Sequence, residues 1–437
     1  MNKLGALFSL LVLIFFSTSC NEDRYKRNAE EAERDIEEIE SAIQDSDNLL
    51  GPGIVDSFDK IAKATFYIEN SESMFGYVNG FTEYVDVLSE LSEKPMFAAE
   101  NTHREFYFIN GGENLEIIPI GDDPALLKDK LNTSGFRCGD YTKSNLNSMF
   151  QVALENAKRE TISILISDAI YDIGGVGAPM NALSTEGRET RSEFITRLEQ
   201  GDLQTIMIKL HSQFDGYYFP VSGGKIKINQ IRPFYIWIFG NTELLNKYFS
   251  EEYIESLEGY SDLARFLKFE GLNIPYQATS QKSLGRFRFD RSNKNKLIDV
   301  TPGRSGQGFQ FSFAADYSQL PFSDTYFKNV DNYTCSNDYQ VIEVTEILKK
   351  TPGITTFKPT HLITVSNSKN PYGTLDITLK NVVPDWIETT NTDVESNIQE
   401  NTTQTFGFKF LTEAISEAFA FQNKEKNVTK FSFEITK

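Results

Sequence analysis

Tryptophan, histidine and cysteine are scarce: two, three and three residues in a chain of 437. His103, His211 and His361 fall in no catalytic or zinc-binding motif, so the sequence offers no recognisable imidazole base or zinc centre. Two tryptophans, Trp237 and Trp386, are too few to argue for a sugar-stacking platform. No phosphate-binding Gly-x-x-x-x-Gly-Lys-Ser/Thr loop is present, and no Gly-x-Ser-x-Gly elbow surrounds a serine. Positive charge is also short, with 43 Lys and Arg against 62 Asp and Glu. A formal charge of −19 repels phosphate, which excludes nucleic acid and anionic lipid as partners. The longest apolar run, residues 4–16, is about 13 residues, too short for the roughly 20 that span a bilayer.

That run has another use. Lys3 precedes it, and Ser17-Thr18-Ser19-Cys20 closes it with small residues. The pattern resembles bacterial lipoprotein signals. Ser17, where those signals usually carry an aliphatic residue, and the acidic start Asn21-Glu22-Asp23 resemble Bacteroidetes lipoproteins. The resemblance implies a signal peptide over 1–19 and a lipid such as palmitate on Cys20. The mature chain would then sit outside the cytoplasm, anchored in the outer membrane of the cell envelope and facing the periplasm or the exterior. Ala29, Ala32, Ile36, Ile39 and Ile43 recur at helical spacing within a charged stretch, so 20–60 reads as an acidic helical tether broken by Gly51-Pro52-Gly53. Outside the cytoplasm Cys138 and Cys335 could form a disulfide or remain two thiols, and spacing does not decide between them.

From residue 61 to 257, short apolar strands alternate with amphipathic helices. Strands are expected at 64–69, 104–110, 161–167, 204–211 and 232–240, with a hairpin near 217–229. Fully apolar strands alternating with helices predict an α/β domain whose mostly parallel central sheet is covered on both faces. From 258 to 437 the segments shorten, alternate with period two and are separated by Asn, Ser, Gly and Pro. That predicts a mainly β, sandwich-like second domain, with one helix near 408–419.

Oxygen-bearing side chains gather where ligands bind in open parallel sheets, at the carboxyl ends of strands. The first strand runs into Glu69-Asn70-Ser71-Glu72-Ser73, Thr142 and Ser144 precede a helix, and a later strand ends in Ser167-Asp168-Ala169. Such donors suit hard cations: Mg²⁺, Mn²⁺ or Ca²⁺. Taken singly, Ser144 reads as a helix cap and Asp168 as the start of a turn. Together they resemble the von Willebrand factor A domain and its metal-ion-dependent adhesion site, over residues 61 to about 257. Ser71 and Ser73 match the two serines of Asp-x-Ser-x-Ser. Ser144 matches the loop threonine (Thr142 is the second choice), and Asp168 matches the later aspartate. Glu69 departs from the first aspartate and Ala169 from a frequent glycine. The resemblance implies a metal set of Glu69, Ser71, Ser73, Ser144 and Asp168, with one coordination position left for an acidic side chain of a protein partner. The loop 172–177 would lie on the same rim.

The function expected is therefore a membrane-anchored, extracytoplasmic binding, adhesion or scaffold protein without bond-breaking chemistry. Two other classes stay open. One is a metal-dependent hydrolase using Glu69, Glu72 and Asp168; the other is carbohydrate binding by the Tyr- and Phe-rich second half.

Overall fold

The computed structural model describes residues 60–437, apart from 175–177, 270–273, 305–306, 319, 321, 349–352, 382 and 423–426. The signal run, Cys20 and the tether up to residue 59 lie outside the described residues, as do residues 175–177 of the rim loop.

β1 (Lys63–Glu69) is buried at almost every position because it lies inside a sheet covered on both faces. It is followed by a 3₁₀ helix (Glu72–Val78), then α1 (Glu83–Ser92) and α2 (Pro95–Ala99). β2 (His103–Asn110), β3 (Glu116–Gly121), α3 (Pro124–Lys130), α4 (Leu146–Asn156) and β4 (Thr161–Ser167) come next. α5 (Pro179–Leu198) leads into β5 (Gln204–Tyr218) and β6 (Ile226–Gly240). The short helices α6 (Thr242–Tyr248) and α7 (Glu251–Glu255) precede β7 (Tyr260–Phe266).

These strands form one seven-stranded sheet in the order β3-β2-β1-β4-β6-β5-β7. The sheet is mixed, which corrects the expectation of a mostly parallel one. Only β2-β1-β4 pair in parallel, while β3, β6, β5 and β7 each join antiparallel. The reason is the connection between β5 and β6. They join through a short loop with Gly223 and Gly224 at positive φ, and a loop of that length can return only an antiparallel neighbour. The strand expected at 204–211 and the separate hairpin expected near 217–229 are thus one hairpin with arms of 15 residues each. Its base is part of the sheet. Beyond residue 211 it leaves β7 behind and projects as a two-stranded ribbon past the carboxyl ends of β1 and β4.

One face of the sheet packs Phe66, Ile68, Ile164 and Ile236 against α1 through Tyr84, Val87 and Leu88. The other packs Tyr67, Leu165 and Trp237 against α4 and α5 through Phe150 and Phe194.

The second half builds two facing sheets. β8 (Tyr276–Leu284), β9 (Arg286–Phe289), β10 (Lys296–Thr301) and β11 (Phe309–Ala315) are followed by the helix α8 (Asp324–Lys328). β12 (Tyr333–Cys335), β13 (Gln340–Glu346), β14 (His361–Asn367) and β15 (Gly373–Lys380) then lead to α9 (Trp386–Thr390). After two minimal strands, β16 (Asn391–Thr392) and β17 (Thr405–Phe406), come α10 (Phe408–Gln422) and β18 (Asn427–Ile435). The sheets are β12-β15-β18-β10-β9 and β13-β14-β11-β8, antiparallel apart from the short β10–β18 pairing. Their aromatics face inward: Phe311 and Phe313 lie 5.0–5.3 Å, centroid to centroid, from Phe433.

The boundary expected between 257 and 258 does not separate the two cores. β7 belongs to the seven-stranded sheet, and residues 386–419 return to it, placing Ile387, Phe406, Phe408, Leu411, Ile415 and Phe419 in the core beside α5. Cys138 and Cys335 are both free thiols, not a disulfide. Cys138 packs at the α/β core and Cys335 at the sandwich core, so the fold sends the two sulfurs to different interiors. Among the described residues no helix is long and apolar enough to cross a membrane.

Candidate functional site

The carboxyl ends of β1 and β4 lie side by side because the two strands pair in parallel, with Ile68 opposite Ile166. Glu69 and Asp168 therefore leave the sheet at the same rim, both almost fully buried. Asn70 fixes the loop after β1. Its Nδ2 donates to the carbonyls of Phe136 (2.9 Å) and Cys138 (3.1 Å), and its Oδ1 accepts from Asn110 Nδ2 at 2.8 Å. The loop before α4 is held to the same place by Gly111 N–H donating to Lys143 O (3.1 Å) and Glu72 N–H donating to Tyr141 O (2.8 Å).

Two serines from different segments then converge on one carboxylate. Ser71 Oγ and Ser144 Oγ each donate to Glu69 Oε1 at 2.7 Å. Ser73 joins them through Ser71, the two hydroxyl oxygens lying 3.0 Å apart. All five residues singled out in the sequence line one cavity, and Glu69, Ser71, Ser73 and Ser144 form one hydrogen-bonded cluster beside Asp168. Ser144 does not cap α4; Asn145 does, accepting from Ser148 N–H at 2.9 Å, which leaves the Ser144 hydroxyl for Glu69. Asp168 does open a turn, accepting from Ile170 N–H at 3.2 Å. Thr142 is turned to Asp140 at 2.7 Å. Ala169, in place of the frequent glycine, adopts the left-handed φ of 58° that glycine would take without strain.

Burial raises the Glu69 carboxyl to about 7, repulsion from Asp168 adds to this, and the serine hydroxyls pull it back only in part. Burial also raises Asp168, opposed first by the guanidinium of Arg232 and then by the bond from Ser73.

The cluster is part of the lining of a cavity of about 370 Å³. Its walls are Ile170, Tyr171 and Ile173 after β4 on one side and Tyr218–Gly224 of the ribbon tip on the other. Glu72, Asp172 and Glu395 add carboxylates, and among the described residues Lys143 is the single basic one lining it. Glu395 comes from the second half of the chain and bolts the tip down, accepting from Tyr218 Oη at 2.5 Å and Val221 N–H at 2.9 Å. Nothing in the sequence pattern marks Tyr218 or Glu395, and Arg232 shows only as an arginine opening an apolar strand.

The donor set fits a hard cation in one specific respect. It is made of oxygen atoms: the Ser71 and Ser73 hydroxyls, 3.0 Å apart, with Ser144 and the Glu69 and Asp168 carboxylates on the same cavity lining. Glu69 then acts behind Ser71 and Ser144, which offsets its extra methylene. Among the described residues no group of three or more His, Cys, Asp or Glu could hold a metal, so an ion here would rest largely on hydroxyls. No histidine lines the cavity, and a serine nucleophile would have no imidazole beside it.

Compared with known proteins, the chain matches no family model, and no curated protein matches it.

Proposed function

We propose that this protein is a lipid-anchored, extracytoplasmic binding protein whose α/β part is von Willebrand factor A-like. Its rim pocket engages a protein partner with the help of Mg²⁺, Mn²⁺ or Ca²⁺. The observation that carries this reading is the convergence of Ser71 and Ser144 on Glu69, with Ser73 hydrogen-bonded to Ser71 and Asp168 on the same lining of a cavity of about 370 Å³. That volume lies in the range of ligand pockets, roughly 300–1,000 Å³, and admits one or two inserted side chains. Ser71, Ser73, Ser144 and Asp168 would hold the ion, and Glu69 would orient two of the hydroxyls. The ion supplies a positive centre that can take an acidic side chain of the partner. With no imidazole at the cavity and its oxygen donors already engaged with one another, binding is better supported than hydrolysis. Carbohydrate binding by the second half has little support, since Phe311, Phe313 and Phe433 are spent on the sandwich core.

The lipid anchor rests on the run ending at Cys20. Fatty-acid labelling should mark the wild type and miss Cys20→Ala; equal labelling would remove the anchor from this reading.

Thermal melting tests the site. An ion at a hundredfold excess over its dissociation constant should stabilise the folded state by about 2.7 kcal/mol. Asp168→Ala should abolish the response. If Mg²⁺, Mn²⁺ and Ca²⁺ all leave the wild type unchanged, the pocket works without metal.

A further inference from the structure

The ribbon that walls the pocket has two faces, set by the alternation of side chains along its strands. Phe214, Tyr218 and Ile228 point inward and are buried in the core. Asp215 and Tyr217 on β5, with their β6 partners Asn229 and Lys227, point the other way. That outer face is open. Tyr217 is 41% exposed, Ile231 46%, and Phe219, just past the end of β5, 38%. Phe81 is wholly exposed at its edge, two residues after Asn79, whose Nδ2 donates to Asp215 O at 3.0 Å.

Charge on this face runs against that of the molecule. The chain carries −19, yet Lys225 and Lys227 stand here over one aromatic ring, 4.4 and 5.3 Å from the centre of Tyr217. Asp215, the acid on this face, is already paired with Lys227. Lys225 pairs with no carboxylate among the described residues. A lysine drawn to the face of a tyrosine is partly ordered beforehand and loses less freedom when an anion meets it. Exposed aromatics beside available positive charge mark an interaction surface, and the sign of the charge selects the occupant. A second copy of the chain would bring −19 against −19, which opposes self-association.

We propose that the outer face of the ribbon is a second docking surface for the protein partner, taking an acidic segment over Tyr217, Lys225 and Lys227. The inference rests on the binding reading above but needs no ion. The ribbon tip joins the two surfaces, because Phe219 is both exposed and part of the cavity wall. A partner laid along the ribbon therefore reaches the mouth of the pocket with its next residues. Its carboxylates meet the two lysines in solvent, where salt screens them, so this face steers and orients more than it anchors.

The test is fluorescence anisotropy of a labelled random copolymer of glutamate and tyrosine, added to the full chain at low and at physiological salt. Wild type should bind, and more weakly as salt rises. Lys225→Glu/Lys227→Glu should weaken binding roughly tenfold or more at low salt. Lys128→Glu/Lys158→Glu, an equal change of charge at exposed lysines elsewhere, should stay within about twofold of wild type. Lys225→Glu alone should still weaken binding several-fold, and it leaves the Lys227–Asp215 pair in place. No binding by wild type, or equal losses from the two double variants, overturns the inference. So does retention of wild type on phosphatidylserine vesicles that the ribbon double variant loses, which would give the face to a membrane. Chelation separates this inference from the ion. Ribbon-dependent binding that persists in EDTA supports it even where no metal shifts the melt. Binding abolished by EDTA overturns it and leaves metal-assisted docking standing.

Discussion

Glu69 is longer by one methylene than the aspartate its position resembles, and it sits at the back of the cluster, where two serines reach it. Its raised protonation range has a consequence for stability. Because its folded value, about 7, exceeds the ordinary value of 4.5, the folded state binds more protons than the unfolded one between these limits. Stability from this group is then fully present below about pH 4.5 and is lost as pH rises through 7. Glu69→Gln cannot titrate. Without added metal, the melting temperature of Glu69→Gln minus that of wild type should grow between pH 5 and pH 8. A constant difference would mean that Glu69 is not protonated in the folded protein. The serines and carboxylates of this cluster were legible in the sequence because they follow apolar strands or open a helix. Arg232 and Glu395 were not. They reach the rim from strands and loops about 60 and 230 residues beyond Asp168, and only tertiary structure brings them there.

The β5–β6 ribbon is the element that turns an open rim into a pocket. It is braced on one side by the 3₁₀ helix, where two glycines meet. A Cβ on Gly76 would fall 2.4 Å from the Phe214 ring, and one on Gly216 would fall 2.6 Å from Gly76 Cα. Gly216→Ala should therefore destabilise by about 1–3 kcal/mol through overpacking, read by chemical denaturation. It should also weaken any Mn²⁺ response, because the 3₁₀ helix begins at Glu72, inside the serine loop. On the other side the brace is Glu395. Glu395→Ala removes both of its bonds to the ribbon tip and should speed protease cleavage between 219 and 224 several-fold while leaving the global melt nearly unchanged. Unaltered cleavage would show that the tip holds itself. Short apolar runs at 204–211 and 232–240 mark both arms of this ribbon. Their continuity was hidden by Asp215-Gly216, which reads as a break but is a point of close backbone approach.

At the level of the whole molecule, the α/β core and the sandwich are interleaved along the chain. Phe58–Lys437 forms one compact unit. A fragment over 58–437 should fold, whereas one ending at 257 loses β7 and α10 and exposes Phe194, Tyr235 and Trp237. Circular dichroism and solubility of the two fragments check this; a well-folded 58–257 would show that the returning segment is dispensable. The expectation of α/β followed by mainly β held for most elements, since each strand and helix carries its own periodicity. The return of 386–422 has no local mark, because α10 reads like any amphipathic helix and its destination depends on which surface lacks a cover. Lys209 Nζ on β5 makes the dependence concrete, donating to Thr390 Oγ1 at 2.8 Å, and Tyr235 Oη lies 2.8 Å from Thr405 Oγ1. During synthesis the first half therefore has to wait. Its sheet is complete in sequence by residue 266, yet its core stays open until residue 422 has been made, so the first domain closes only after nearly the whole chain has been synthesised.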